Sequence, residues 1–141
     1  MSLVNDNPRG FLEGGFTCAV YYGEEVYQSK ERGVAPLLAW LKSGRNFQGF
    51  LAVDKVVGKA AAFLYVRLGV KKVYAIVLSE GAEEVFRRFG IDYESEEKVP
   101  MIRNRLGDGY CPMEQAVWTT DEPIEAQRRI EQTLQRLKEQ K

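Results

Sequence analysis

VDKVVGKAAAFL, residues 53–64, decides how this chain is read: it is apolar enough for a buried helix yet carries Asp54, Lys55 and Lys59 within its first seven residues. Lysine is unfavourable near a helix N-terminus, where the macrodipole is positive and the first N–H groups lack partners. Asp54 would offset this as an N-cap, where a strand ends and a helix starts. Lys55 and Lys59 then fall i, i+4 on one helical face, continued by Ala62 and Val66 with Gly58 alongside. A crevice at the C-terminal end of a sheet strand, beside a helix N-terminus, is where α/β proteins receive anionic or polar ligands. The competing reading is structural: both lysines snorkel to solvent and Asp54 pairs with one of them. The alanines and Gly58 suit either reading, since small residues admit a ligand or a closely packed sheet.

Upstream of this stretch, FQGFLAV (47–53) reads as a short buried strand bounded by turn residues. Within and beyond it, Val57, Ala61, Leu64 and Leu68 follow amphipathic-helix spacing to a stop at Gly69. KVYAIVLS (72–79) is a nearly continuous apolar strand, of the kind covered on both faces. AEEVFRRFG (82–90) is a helix closed by glycine, and IDYESEEKV (91–99) alternates as a more exposed strand. Nearer the N-terminus, FTCAVYY (16–22), the turn Gly23-Glu24 and EVYQSK (25–30) give a hairpin signal. VAPLLAWLK (34–42) is a helix with Leu37, Leu38 and Leu41 on one face and Gly44 past its last turn. Residues 1–15 read as a loosely ordered N-terminal segment with one short helical turn, and Ser95 to Tyr110 as loop-rich. Residues 122–139 form a C-terminal amphipathic helix whose stripe is Ile124, Ile130, Leu134 and Leu137. This order predicts one α/β domain over residues 1–141, a three-layer α/β/α sandwich with a mixed sheet.

Composition narrows the chemistry. At 141 residues and 45% hydrophobic content the chain is about the size of one domain with a real core. Twenty basic residues balance twenty acidic ones, so no net field favours nucleic acid or an anionic membrane as partner. Apolar runs such as AAAFLYV (60–66) fall far short of the roughly 20 residues of a membrane span, and no secretory apolar region opens the chain, so a cytoplasmic location is expected. There is no histidine, and Cys18 and Cys111 are the only cysteines. Zinc-ligand pairs of the CxxC or HxxxH kind, Ser-His-Asp triads and Cys-His pairs are therefore absent, and neither metal nor cofactor is expected. An acid or base working near neutral pH must be a Cys, Lys, Asp, Glu or Tyr with a shifted pKa.

A second constellation lies in NRLGDGYCPMEQAVW (104–118). Gly107 and Gly109 bracket Asp108 in a turn, and Pro112 suits the first position of a short helix, which places Cys111 at its N-cap. A thiolate there is stabilised by free N–H groups and the dipole, and further by a nearby lysine. Glu114 sits in the first turn and could move a proton. The competing reading makes Cys111 a small packing residue and Glu114 an exposed glutamate in a capped turn. Arg103 and Arg105 could hold a carboxylate or phosphate bidentately; Cys18, on a hairpin strand, belongs to the core.

DKVVGKAAA (54–62), Ser79-Glu80, Asn104-Arg105 and CPME (111–114), in this order and spacing, resemble the bacterial domain of unknown function 1893 family, over most of the chain from Phe16 to Trp118. The resemblance implies a cytidine deaminase-like fold, an α/β/α sandwich with a mixed sheet. It does not carry deaminase chemistry over. Zinc deaminases place an HxE signature at the head of one helix and PCxxC at the head of the next. Here those places hold Lys55 and the Ser79-Glu80-Gly81 turn, and Cys111 comes too late in the chain to replace the missing ligands.

Three function classes follow. In the first, Asp54, Lys55, Lys59, Ser79, Arg105, Cys111 and Glu114 line a zinc-free pocket for a small polar, anionic or nucleotide-like metabolite. Its enzymatic version has Cys111 attack an electrophile while Lys59 or Glu114 moves the proton. In the second, the same residues bind without turnover, as a sensor. In the third, exposed aromatics and the terminal helix pack on a partner protein or on a second copy as a homodimer.

Overall fold

The computed structural model describes residues 7–103, 107, 109 and 111–139. A short 3-10 helix, Pro8–Leu12, precedes β1 (Cys18–Tyr22) and β2 (Glu25–Ser29), which form the expected hairpin. Its two-residue loop depends on Gly23, whose φ of 60° is the left-handed value such a loop requires at its first position. α1 (Ala35–Lys42), β3 (Leu51–Val57), α2 (Lys59–Leu68), β4 (Lys72–Ser79), α3 (Glu80–Phe89) and β5 (Asp92–Val99) then alternate. Two further helices follow, a short α4 (Pro112–Ala116) and α5 (Pro123–Glu139). The sheet is mixed, in the order β2-β1-β3-β4-β5. β1 runs antiparallel to β2 and β3, whereas β3, β4 and β5 are parallel.

The opening stretch divides differently from its sequence reading. β3 begins at Leu51 rather than Phe47 and continues through Asp54 and Lys55 to Val57, so neither charge lies on a helix. Phe47 and Phe50 instead turn into an aromatic cluster, meeting edge to face at 5.2 Å, with Tyr27 a further 5.4 Å from Phe47. Pairing on both sides keeps Asp54 extended: Cys18 lies opposite it on β1 and Ala75 on β4. α2 starts only at Lys59, after Gly58, and closes on Gly69, whose N–H bonds back to Tyr65 and Val66 carbonyls. The i, i+4 face expected to unite Lys55 with Lys59 therefore does not form.

All five α-helices contribute to a single core with one face of the sheet. Ala60 to Tyr65 are every one buried, because α2 is enclosed by the sheet, by α1 and α3 beside it and by α5. A helix apolar all round is one covered all round, and its alanines permit that close approach. The opposite sheet face carries a smaller core of Leu12, Ala19, Tyr21 and Val53, over which Phe11 stacks on Tyr21 at 4.2 Å. Among the described residues the 3-10 helix is the helical element on that side, where the sandwich reading expects a full helical layer. On α5, Ile130, Leu134 and Leu137 join the main core as predicted, but Ile124 is 61% exposed. β5 runs to Val99, so the loop begins later than Ser95.

Candidate functional site

β3 and β4 each run almost directly into the following helix, so Val57-Gly58-Lys59 and Ser79-Glu80-Gly81 lie together at the C-terminal ends of neighbouring parallel strands. A Cβ built on Gly81 would sit 3.4 Å from Lys59 Cβ, which shows how closely the two helix heads approach. Ser79 caps α3, its hydroxyl accepting the Ala82 N–H at 3.0 Å, and is itself 1% exposed. That is an N-cap at work, and it leaves the Ser79 oxygen committed to the backbone.

The head of α2 has no side-chain cap of its own, since its N-cap is Gly58. Glu114, from α4, supplies one. Oε1 accepts the Lys59 N–H and Oε2 the Ala60 N–H, each at 2.9 Å. A carboxylate held by two free N–H groups at the positive pole of a helix is a strong, charge-assisted arrangement. Gly58 makes the approach possible: a Cβ there would lie 2.6 Å from both Cδ and Oε2 of Glu114. Burial pushes the Glu114 carboxyl above its ordinary range, and the Ala60 and Lys59 N–H groups and the Lys59 charge pull against that shift. Glu114 is thus buried and bound to the backbone, not the exposed glutamate of the structural reading. It fills the anion site that the head of α2 creates.

Lys59 turns its ammonium toward the end of α4, donating to the Trp118 carbonyl at 3.1 Å and lying 5.8 Å from the Phe63 ring centroid. Among the described residues neither Lys55 nor Lys59 forms an ion pair with a carboxylate. Cys111 occupies the N-cap position of α4 without a side-chain cap bond; its own N–H donates to the Ile102 carbonyl at 3.2 Å. The thiol is half-buried against the core, and among the described residues no hydrogen bond joins it to Lys59 or Glu114.

The structure therefore brings Lys59, Ser79 and Glu114 to one end of the sheet, with Cys111 one helical turn before Glu114, and disperses the others. Asp54 lies inside the sheet and accepts a hydrogen bond from Tyr65 at 2.8 Å instead of capping α2. Lys55 is exposed, alternating onto the opposite sheet face, with its N–H tied to Thr17. Arg105 lies outside the described residues. Sequence reasoning missed Tyr65 and Trp118 as partners, and treated Gly58 only as a small neighbour. Its φ of −98° is open to any residue, so no turn signal marks it.

Two surface clefts, of about 490 and 360 Å³, lie elsewhere, both bordered by Lys72 and Glu94 at the N-terminal ends of β4 and β5. At about 3.3 Å per residue, the length of β4 puts Lys72 roughly 23 Å from Ser79. Among the described residues no three Cys, Asp or Glu side chains gather as metal ligands, and no helix is long and apolar enough to cross a membrane.

No curated protein matches the chain in sequence. The crystal structure of a DUF1893 family protein (TM1506) from Thermotoga maritima is similar to it, with a TM-score of 0.82 and 28% identity over 95% of this chain and 89% of that one. The family model for the domain of unknown function DUF1893 matches residues 9–134, nearly the whole described fold. Sheet, helices and sequence motifs thus agree, and the chain belongs to the DUF1893 family.

Proposed function

We propose that this protein is a zinc-free domain of cytidine deaminase-like architecture that binds a small anionic or nucleotide-like metabolite without turning it over. The mixed sheet, with two parallel strands each leading straight into a helix, supports that architecture. The residues at the two helix heads do not fit zinc: Lys59 brings a positive charge, and Ser79 is spent on a cap.

The observation that carries the reading is Lys59. Its side-chain carbons pass Gly81 at the head of α3, and its ammonium is held just past α4 by the neutral Trp118 carbonyl, with no ion pair to a carboxylate among the described residues. Glu114 and Ser79 already cap the two helix heads, so it is the ammonium that favours an anion here. The binding version is preferred over the enzymatic one because Glu114, one of the two proton carriers considered for a cysteine nucleophile, is bound to backbone N–H groups, and no hydrogen bond among the described residues joins Cys111 to the other, Lys59.

Thermal denaturation with inorganic phosphate and with CMP, at matched ionic strength, tests the reading. At least one is expected to raise the midpoint of the wild type and of Cys111→Ser alike, and to leave Lys59→Ala unmoved. No shift with either probe, or an equal shift in Lys59→Ala, would refute it.

A further inference from the structure

Asp54, Cys18 and Tyr65 form a buried cluster outside the candidate site. They are 7%, 2% and 0% exposed and come from β3, β1 and α2 respectively. Cys18 lies directly across the antiparallel pair from Asp54. Asp54 Oδ2 accepts from the Tyr65 hydroxyl at 2.8 Å and Oδ1 from the Val56 N–H at 3.3 Å. From β4 the facing residue is Ala75, which does not titrate. The Thr17 hydroxyl lies 3.9 Å from Cys18 Sγ and also donates to the Ser29 and Glu31 carbonyls. The carboxylate thus has hydrogen-bond donors but no facing cation among these groups, and a buried charge without a counter-charge favours the protonated form.

The neighbours leave only one of the three free to titrate near neutrality. Burial, with the nearby Asp54 charge adding to it, pushes the Cys18 thiol up to about 12. Burial likewise raises the Tyr65 phenol well above its ordinary range. Asp54 is pushed up to about 7 by burial, against the pull of Tyr65 and of the Val56 and Lys55 N–H groups.

We propose that Asp54 holds one exchangeable proton at the contact between β3 and α2, and that releasing it weakens the seating of α2 on the sheet. The raised folded-state value fixes the direction. Below about pH 4 both folded and unfolded chains hold the proton and the contribution is complete. Between there and about pH 7 the folded chain keeps a proton that the unfolded chain has lost, so the folding constant falls about tenfold per pH unit as pH rises. Above that the loss is constant. The inference stands apart from the ligand reading, since no residue of the cluster lines the candidate site.

Infrared spectroscopy of the protonated-carboxyl band, recorded against pH, tests the proposal on the whole chain. The wild type is expected to lose one such band with a midpoint near 7 that Asp54→Asn lacks. Tyr65→Phe should move the midpoint higher, because it removes a donor that favours the ionised form; Cys18→Ala should leave the band in place. Urea denaturation should show the pH 4–7 decline in the wild type and a decline about tenfold smaller per pH unit in Asp54→Asn. A wild-type protein with no carboxyl titrating above pH 6, or the same decline in both proteins, would overturn the proposal. Should Asp54→Asn not fold, the wild-type band and its movement in Tyr65→Phe decide the matter.

Discussion

Substituting Gly58 by alanine isolates the contact on which the head of α2 depends. The backbone there, φ −98° and ψ −176°, is extended and accepts alanine without strain. At an unencumbered position of this kind the change stabilises by about 0.4–1 kcal/mol, through a less flexible unfolded chain. Here the new Cβ would lie 2.6 Å from Glu114 Cδ and Oε2 and 2.8 Å from Oε1, so the carboxylate must leave. Two charge-assisted hydrogen bonds go with it, each worth about 1.5–3 kcal/mol. The net expectation is a loss of about 2–5 kcal/mol, from a total stability of about 5–15 kcal/mol for a domain of this size. Glu114→Ala should cost a similar amount. The decisive comparison is the double variant: with Glu114 truncated, the three atoms nearest the new methyl are gone, so Gly58→Ala should then be neutral or slightly stabilising. Urea denaturation of all four proteins near pH 7 gives the coupling. Additivity within about 0.5 kcal/mol would mean that the two residues do not interact, and the account of the site would be wrong.

Other expectations follow from separate contacts. Ser79→Ala should lower stability by about 1 kcal/mol, with Ser79→Thr recovering part, as urea midpoints will show. Gly69→Ala should cost about 1–2 kcal/mol, because its φ of 82° is left-handed and Gln48 Oε1 lies 2.6 Å from where a Cβ would stand; a smaller loss would place the C-terminus of α2 elsewhere. In a colorimetric thiol assay the folded protein should expose Cys111 and the denatured protein both cysteines, because burial holds the Cys18 thiol up to about 12. Comparable rates at the two thiols in the folded state would contradict the packing of β1.

Alternation and punctuation in the sequence predict most elements, and the structure departs where two signals coincide. KVYAIVLS and AEEVFRRFG form the strand and helix expected of them, since each is bounded by glycine or a polar turn. VDKVVGKAAAFL is misread because the largely apolar β3 runs straight into the buried α2 without a change of pattern, and only the inconspicuous Gly58 divides them. Asp54 looks like a cap when only its neighbours are read; its real partner, Tyr65, lies eleven residues on, at a spacing no local pattern marks. The role of Glu114 is less legible still, because its carboxylate is bound by N–H groups 54 and 55 residues earlier in the chain. Lys59 and Ser79 are found because they sit at strand ends, where the connectivity of parallel strands gathers helix heads.

The distance in sequence between Glu114 and the helix it caps also orders events in time. During synthesis β3, α2 and β4 emerge together and can pair early, but the first N–H groups of α2 must wait until residue 114 has left the ribosome and α4 has docked. Until then the βαβ unit at the centre of the fold holds a helix with a frayed beginning, and closing it requires a contact of high sequence separation, the slow kind. The short α4 is therefore the clasp that closes the head of a helix at the centre of the fold, and it reaches there from 54 and 55 residues away.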